Sequence, residues 1–209
     1  MFLTFEGVEG CGKSTQAKKL SEYLVTLGYE VVLTREPGGI PIAEQIRSIL
    51  LDPANDAMTS ITELLLYLAA RAQHLDERVK PALKQDKIVI CDRFVDSTLA
   101  YQGYARGLDL DLIMAANKIA TSGLDPDLTF VFDLTVETAF SRKGDEKLDR
   151  LEREAREFHD RVRNGYLSIA EMFPTRVKVI DATQTIEEIH CEVRQHIATR
   201  CKTFFMETK

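Results

Sequence analysis

No pair of cysteines stands at CxxC spacing. Cys11, Cys91, Cys191 and Cys201 are spread over 209 residues, the nearest two ten apart, with no histidine beside them in a ligand pattern. That excludes a disulfide-stapled scaffold and a ribbon-type zinc site, and the four thiols are expected to be reduced. Basic charge is not in excess either: 27 Lys and Arg face 33 Asp and Glu, a net charge of −6. A broad surface for nucleic acid or anionic membrane therefore has no electrostatic footprint, although a few placed cations suffice for a small anion. No charge-free stretch reaches the ~18 residues a membrane span needs, and Met1 to Phe5, ahead of Glu6, is too short for a signal peptide. The expected location is the cytoplasm. Internal repeats, low-complexity tracts and linkers are also missing.

What remains is a globular composition, 44% hydrophobic and 29% charged, enough for one full core. One domain over residues 1–209 is expected. Short apolar runs at Phe2–Phe5, Glu30–Thr34, Lys87–Cys91, Leu128–Phe132 and Val177–Ile180 read as strands. Between them, helical periods predict helices at Ser14–Leu27, Pro41–Leu51, Ile61–Leu83, Asp109–Thr121, the highly charged Glu146–Met172 and Thr185–Thr199. Nearly continuous apolar strands separated by helices imply an α/β fold in three layers, with a central, mostly parallel five-stranded sheet flanked by helices. The tail 201–209 is expected to be loosely ordered.

Gly7-Val8-Glu9-Gly10-Cys11-Gly12-Lys13-Ser14 fits GxxxxGK[ST] in full, between an expected strand and an expected helix. Glycines there let consecutive backbone N–H groups curl around a phosphate, and the helix that follows adds its dipole. Lys13 is expected to bridge the β- and γ-phosphates, and Ser14 to hold Mg²⁺, with Thr15 next in the nucleotide-binding run. The dinucleotide fingerprint GxGxxG is not met. Asp92 ends the Lys87–Cys91 strand, where a second carboxylate orders Mg²⁺, and Arg93 stands beside it at the same rim. A guanine-reading NKxD is lacking, since Asn117-Lys118-Ile119-Ala120 carries no acid and lies within a helical pattern. The length suits a small-metabolite kinase with a cationic cover over the transferred phosphoryl. The charged stretch 141–153, with Arg142, Lys143, Lys147, Arg150 and Arg153, is the candidate lid.

Three further stretches share a pattern with the phosphate loop: Arg35-Glu36-Pro37-Gly38-Gly39, the run Tyr67 to His74, and Asp92-Arg93-Phe94 continuing to Gly103. In this order and spacing they closely resemble thymidylate kinase of the bacterial type, a P-loop kinase family, over essentially the whole chain. The resemblance implies phosphorylation of dTMP to dTDP with ATP and Mg²⁺. It implies that Arg93 grips the dTMP phosphate, that Arg71 bonds the thymine edge and that Tyr67 stacks on the base. Ser97 or Thr98 and Gln102 would line the base pocket, and Tyr101 would crowd the sugar C2′ position. Glu9 would meet the 3′-hydroxyl or the metal region, with Glu36 and Arg47 near the monophosphate. A homodimer is implied too, through an apolar face of the 61–83 or 109–121 helix.

The residue types suit the chemistry. The acceptor phosphate has a second pKa of about 6, so no general base is required, and the work is to position and neutralise two polyanions. The sequence departs from the family in carrying Tyr67 where Phe is common. It also carries Gly10 where some relatives have a phosphate-loop arginine, which leaves Arg142 or Arg150 to meet the transferred phosphoryl. Two other readings compete: a deoxynucleoside kinase with Glu36 as base on a 5′-hydroxyl, and a nucleotide-binding regulator without turnover.

Overall fold

The five apolar runs form the strands β1 (Phe2–Glu6), β2 (Val31–Arg35), β3 (Ile88–Asp92), β4 (Leu128–Asp133) and β5 (Val177–Asp181). The structure is a computed structural model that describes residues 1–143 and 148–200, without the side chains of Lys143 and Arg200. Strand order is β2-β3-β1-β4-β5, and every pairing is parallel, so the sheet expected to be mostly parallel is parallel throughout. β1, at the centre, is buried at all five positions, whereas the edge strands β2 and β5 are partly exposed. A strand covered on both faces needs apolar residues on both, which is why β1, β3 and β4 read as unbroken runs.

Among the described residues nine α-helices surround the sheet: α1 (Lys13–Thr26), α2 (Pro41–Leu51), α3 (Ser60–His74), α4 (Lys80–Lys84), α5 (Val95–Thr98), α6 (Leu110–Thr121), α7 (Val136–Lys143), α8 (Arg156–Met172) and α9 (Ile186–Arg200). Alternate strand residues enter different apolar clusters. Leu3, Phe5, Ile88 and Ile90 pack with Ala17, Leu20 and Leu24 of α1, while Phe2, Val89 and Cys91 pack with Leu75, Val79 and Ala82. The period of two along a strand thus places helices on both faces.

Three segments differ from the sequence expectation. The single helix expected over 61–83 is α3 and α4 joined by a π-helical turn at Leu75–Val79, in which the Lys80 N–H bonds the Leu75 carbonyl. Pro81 has no N–H to continue the regular ladder, and the wider turn absorbs the mismatch. The helix expected from Glu146 begins only at Arg156. Ahead of it Asp149 and Glu152 cap each other in a turn, and the Arg150 N–H bonds the Leu51 carbonyl, a tertiary contact that outweighs helical propensity. Residues 95–105 are helical, as α5 and a π-helical stretch Leu99–Ala105, where no regular period was visible. Lys147 and the tail lie outside the described residues.

Glu63 of α3 ties these irregular segments together. Buried completely, its carboxylate accepts from Gln102, Arg106 and Arg150, the last at 2.5 Å. Burial pushes its pKa up, but the bonds from Arg106, Gln102 and Arg150 outweigh that and hold it below the ordinary carboxylate value. Glu63→Ala leaves a buried arginine without a counter-ion, and a loss of about 3–5 kcal/mol in unfolding free energy is expected. Urea titration measures it, and a loss below ~1 kcal/mol would show that solvent replaces the carboxylate.

Candidate active site

β1 delivers the chain into the phosphate loop, where Gly7, Gly10 and Gly12 adopt φ of 137°, 77° and 96°. A Cβ at Gly7 would stand 2.7 Å from the Phe132 carbonyl oxygen, and one at Gly10 would stand 2.2 Å from that of Ala139. Glycine is thus required twice over, by φ and by space, and the arginine that some relatives carry at Gly10 has no room against α7. The loop closes on α1, whose first residue, Lys13, is buried and turns its ammonium back to donate to the Val8 carbonyl at 2.9 Å. Burial and the Arg93 charge disfavour the ammonium, but Cys11, Glu9 and Asp92 outweigh them and keep its pKa above the ordinary lysine value. Ser14 and Thr15 are exposed at the start of α1, and the Ser14 hydroxyl donates to Asp92 at the end of β3. A hydroxyl and a carboxylate together offer the hard oxygen donors that suit Mg²⁺.

Beside the loop a cleft encloses about 600 Å³ of empty space, its mouth included. Every residue expected to contact the acceptor lines it: Glu36, Arg47, Tyr67, Arg71, Arg93, Ser97, Thr98, Tyr101 and Gln102, together with Glu9. Arg71 is one of the two arginines deepest in hydrogen bonds there. It is 2% exposed and held by four acceptors: Glu36 at 2.7 Å, Thr98 at 2.8 Å, Asn117 at 2.6 Å and the Phe94 carbonyl at 2.9 Å. Of the five guanidinium N–H groups, one on the terminal nitrogen facing Phe94 has no partner among the described residues. Tyr67, one turn earlier on α3, is half-buried against the core.

Glu36 is itself anchored. Its second oxygen meets His74 Nδ1 at 2.9 Å, and His74 Nε2 meets the Thr34 hydroxyl at 2.7 Å. Glu36, His74 and Cys91 bring metal-ligand atoms within 4.8 Å of one another. The carboxylate is already engaged by Arg71, however, and the Cys91 thiol donates to the Arg93 carbonyl, so the cluster is a hydrogen-bonded anchor for Arg71. Arg47 donates to the Pro37 carbonyl at 2.9 Å and stands on the flank of the cleft.

Arg93 lines the same cleft. Its backbone is left-handed, with φ of 70°, a costly conformation for a non-glycine residue, and its N–H bonds the Phe5 carbonyl at 2.9 Å. The guanidinium reaches Glu9 at 2.5 Å, Tyr166 at 3.0 Å, and Ser97 and Tyr101 at 3.2 Å. Ser97 therefore serves Arg93, Thr98 supports Arg71, and Gln102 donates to Glu63. Of the alternatives Ser97 and Thr98, both line the cleft, and the Ser97 hydroxyl is engaged by Glu6, Tyr166 and Arg93.

The expected lid cations stand apart. Arg150 is 6% exposed and pinned to Glu63 and the Leu50 carbonyl, so it is a buried anchor here and not a free cation. Arg153 lies in the turn ahead of α8 and bonds the Leu148 carbonyl. Arg142 donates to the Ala182 carbonyl and lines a second cleft with Gly10, Gly12, Thr15 and Ile186. The side chain of Lys143 lies outside the described residues.

Four supporting residues were not anticipated. Asn117 and His74 steady Arg71, Tyr166 steadies Arg93, and Glu6 steadies the segment between them. A carboxylate directly after the short run Phe2-Leu3-Thr4-Phe5 was the signal for Glu6. It accepts from the N–H groups of Phe94 and Ser97 and from the hydroxyls of Ser97 and Tyr166. Burial, with the Asp96 charge, raises its pKa from 4.5 to about 7, although Arg93 and these bonds oppose the shift.

Comparison with known proteins places this geometry. A model of the family described as thymidylate kinase matches residues 5–193. The thymidylate kinase of Symbiobacterium thermophilum is 52% identical over 195 residues, 93% of this chain and 91% of that protein. That of Geotalea daltonii is 52% identical over 207 residues, 95% and 97% of the two. The crystal structure of thymidylate kinase from Ehrlichia chaffeensis superposes with a TM-score of 0.77 at 40% identity, covering 93% of this chain and 97% of that one.

Glu6 makes stability pH-dependent. With its folded pKa near 7 and an ordinary value of 4.5, the native state binds the extra proton between these values. The contribution is full below the ordinary value and is lost as pH rises through 7, roughly 3 kcal/mol in all. Urea titrations at pH 5 and pH 8 are expected to show this fall, and Glu6→Gln to flatten it. An equal slope in both proteins would assign the pH dependence elsewhere.

Proposed function

This chain belongs to the thymidylate kinase family and phosphorylates dTMP, and we propose that it does so with ATP as donor, Mg²⁺ as metal and the residues of this cleft. The observation that carries the reading is that Arg71 and Arg93 both line one cleft, each immobilised by its own buried or half-buried carboxylate, with Lys13 close to Arg93. A monophosphate lies between them: base edge on the remaining N–H of Arg71, ring face on Tyr67, phosphate on Arg93 with Glu36 and Arg47 on the flank. Tyr101 crowds C2′, and Gln102 and Thr98 close the base end. Lys13 and the loop residues Gly7, Val8, Glu9, Gly10, Cys11 and Gly12 hold the donor phosphates. The second cleft, with Arg142 and Thr15, takes the donor nucleoside.

Ser14 and Asp92 would hold Mg²⁺, which supplies charge neutralisation between the donor phosphates. The remaining work falls to the chain itself. Arg93 and Lys13 draw acceptor and donor together against their mutual repulsion, and their fixed positions supply charge stabilisation without reorganisation. The acceptor oxygen is already ionised, so no residue need remove a proton. Glu36 is spoken for by Arg71 and His74, which argues against a base acting on a 5′-hydroxyl. Residues 1–209 would act as one domain, with 141–153 as a lid.

No helix among the described residues is long and apolar enough to cross a membrane, and a cytoplasmic enzyme of dTTP synthesis is the proposed setting. Ile61 and Leu65 on α3 and Leu112 and Ile119 on α6 are exposed, Ile119 at 82%. Such an apolar face supports the proposal of a homodimer.

ADP release with ATP and Mg²⁺ against dTMP, dUMP, other monophosphates and thymidine tests the reaction. Turnover with dTMP and none with thymidine is expected, and turnover with thymidine alone would make Glu36 a base. Arg93→Ala is expected to lower kcat/KM for dTMP by about two to three orders of magnitude while ATP affinity holds. Unchanged turnover in that variant would remove Arg93 from the site.

A further inference from the structure

Glu6 ends β1, is completely buried, and is not one of the residues lining the acceptor cleft. Its Oε1 accepts from the main-chain N–H groups of Phe94, at 2.7 Å, and Ser97, at 3.2 Å. Its Oε2 forms a triangle with two hydroxyls: Ser97 Oγ at 2.5 Å and Tyr166 Oη at 2.9 Å, with 2.8 Å between the hydroxyls themselves. Arg93 Nη1 stands beside both hydroxyls, 3.2 Å from Ser97 Oγ and 3.0 Å from Tyr166 Oη, and gives one hydrogen to each. Three oxygen–oxygen contacts this short need three protons, and the two hydroxyls supply only two. With Glu6 ionised, both hydroxyls turn to the carboxylate, and the Ser97–Tyr166 contact is left with lone pair facing lone pair. With Glu6 protonated, each of the three oxygens donates once around the ring and no contact is empty.

The charged and titratable groups facing Glu6 are Cys91 within β3, Arg93 after it, Asp96 of α5, Tyr166 of α8 and Arg176 just ahead of β5. Burial keeps the Cys91 thiol and the Tyr166 phenol neutral, and Arg176 is paired with Asp96 at 2.6 Å. Burial and the Asp96 charge outweigh Arg93 and set the Glu6 pKa at about 7, so its proton exchanges near neutral pH.

We propose that Glu6 is a proton-binding positioning residue for Arg93: the protonated carboxyl closes the hydroxyl ring that holds the guanidinium, and binding of the acceptor phosphate to Arg93 draws a proton onto Glu6. The inference rests on the acceptor phosphate lying on Arg93, as proposed above. The guanidinium already answers to Glu9 at 2.5 Å and to Asp92. An ionised Glu6 adds a third negative charge one hydroxyl away, and a phosphate dianion brought to the same guanidinium is repelled by it. Uptake of a proton from solvent turns the carboxylate into the carboxylic acid and removes that repulsion. No bond to the substrate is made or broken.

Titration calorimetry of the full chain with dTMP, in two buffers of different ionisation enthalpy, measures the proton change directly. At about pH 7.5 the wild type is expected to take up about half a proton per dTMP bound. The phosphate of dTMP, with a second pKa of about 6, can only release a proton to a cationic site, so uptake belongs to the protein. Affinity for dTMP is expected to fall about five- to tenfold between about pH 6.5 and pH 8.5 as Glu6 ionises, while affinity for ATP stays level. Glu6→Gln, whose amide N–H donates where the carboxyl proton stands, is expected to take up no proton and to hold its dTMP affinity level over this range. A residue that only shaped the fold would leave the uptake unchanged when replaced.

His159, a second group that can gain a proton in this range, lines the cleft, and His159→Asn is expected to leave the uptake in place. Uptake that persists in Glu6→Gln, or is lost in His159→Asn, assigns the proton elsewhere and overturns the proposal. So does the absence of uptake by the wild type. If Glu6→Gln fails to fold, as thermal melting would reveal, the wild type and His159→Asn decide the question. Absence of wild-type turnover with dTMP, or dTMP binding undiminished in Arg93→Ala, would instead overturn the reading of the cleft on which the inference rests.

Discussion

Parallel pairing of β1 with β3, with Phe5 opposite Asp92, is the constraint on which the site depends. Both strands end at the same edge of the sheet, so the phosphate loop after β1 and the Asp92-Arg93 corner after β3 emerge side by side. The Arg93 N–H on the Phe5 carbonyl continues that ladder by one bond and sets the corner in its left-handed conformation. β2 adds its own end through the Glu36 N–H on the Asp92 carbonyl. Ligand sites outside the carboxyl ends of parallel strands arise this way, since loops from neighbouring strands converge there and nowhere else. A slip of one residue in the register would turn Asp92 and Ser14 away from each other.

On that frame the chain solves an electrostatic problem. Two polyanions must be drawn together by cations that repel one another, and each cation must keep its place before substrate arrives. Buried or half-buried carboxylates do this: Glu36 for Arg71, Glu9 for Arg93, and Glu63 for Arg150 and Arg106. Each pair costs desolvation, and Glu6 retains a raised pKa as a sign of that cost. What is gained is fixed geometry, because a guanidinium held by three or four acceptors loses little freedom when a ligand takes its last donor. Asn117 shows how far the support reaches. It lies on α6, whose opposite side carries the exposed Leu112 and Ile119, so the helix of the apolar face also steadies Arg71.

The layering of the fold and the identity of the cleft residues were legible in the sequence. Buried parallel strands must be apolar on both sides, so five runs of Val, Ile, Leu and Phe announce themselves. A phosphate loop needs glycines and a lysine at set spacing, and no packing can substitute for them. Gly7, Gly10, Gly12, Lys13, Ser14 and Asp92 could be named from motif and spacing, and Arg71 and Arg93 from the family resemblance. The exchange between these local rules and the fold broke down at the charged stretch 148–155. There a helical period was outweighed by three contacts far apart in sequence, Arg150 with Leu50, Leu51 and Glu63.

Tertiary structure alone decided which side chains stand behind the site. Glu6 and Tyr166 are 160 positions apart, and Arg71 and Asn117 are 46 apart. No periodicity links such pairs, because a hydrogen bond between two elements depends on how those elements cross and not on spacing within either. The sequence by itself determined the phosphate-loop motif, since backbone freedom at glycine and charge at lysine are local properties. Which arginine becomes a buried anchor was set by the groups it meets, as Arg150 is by Glu63 and the Leu50 carbonyl, a property of the packed molecule.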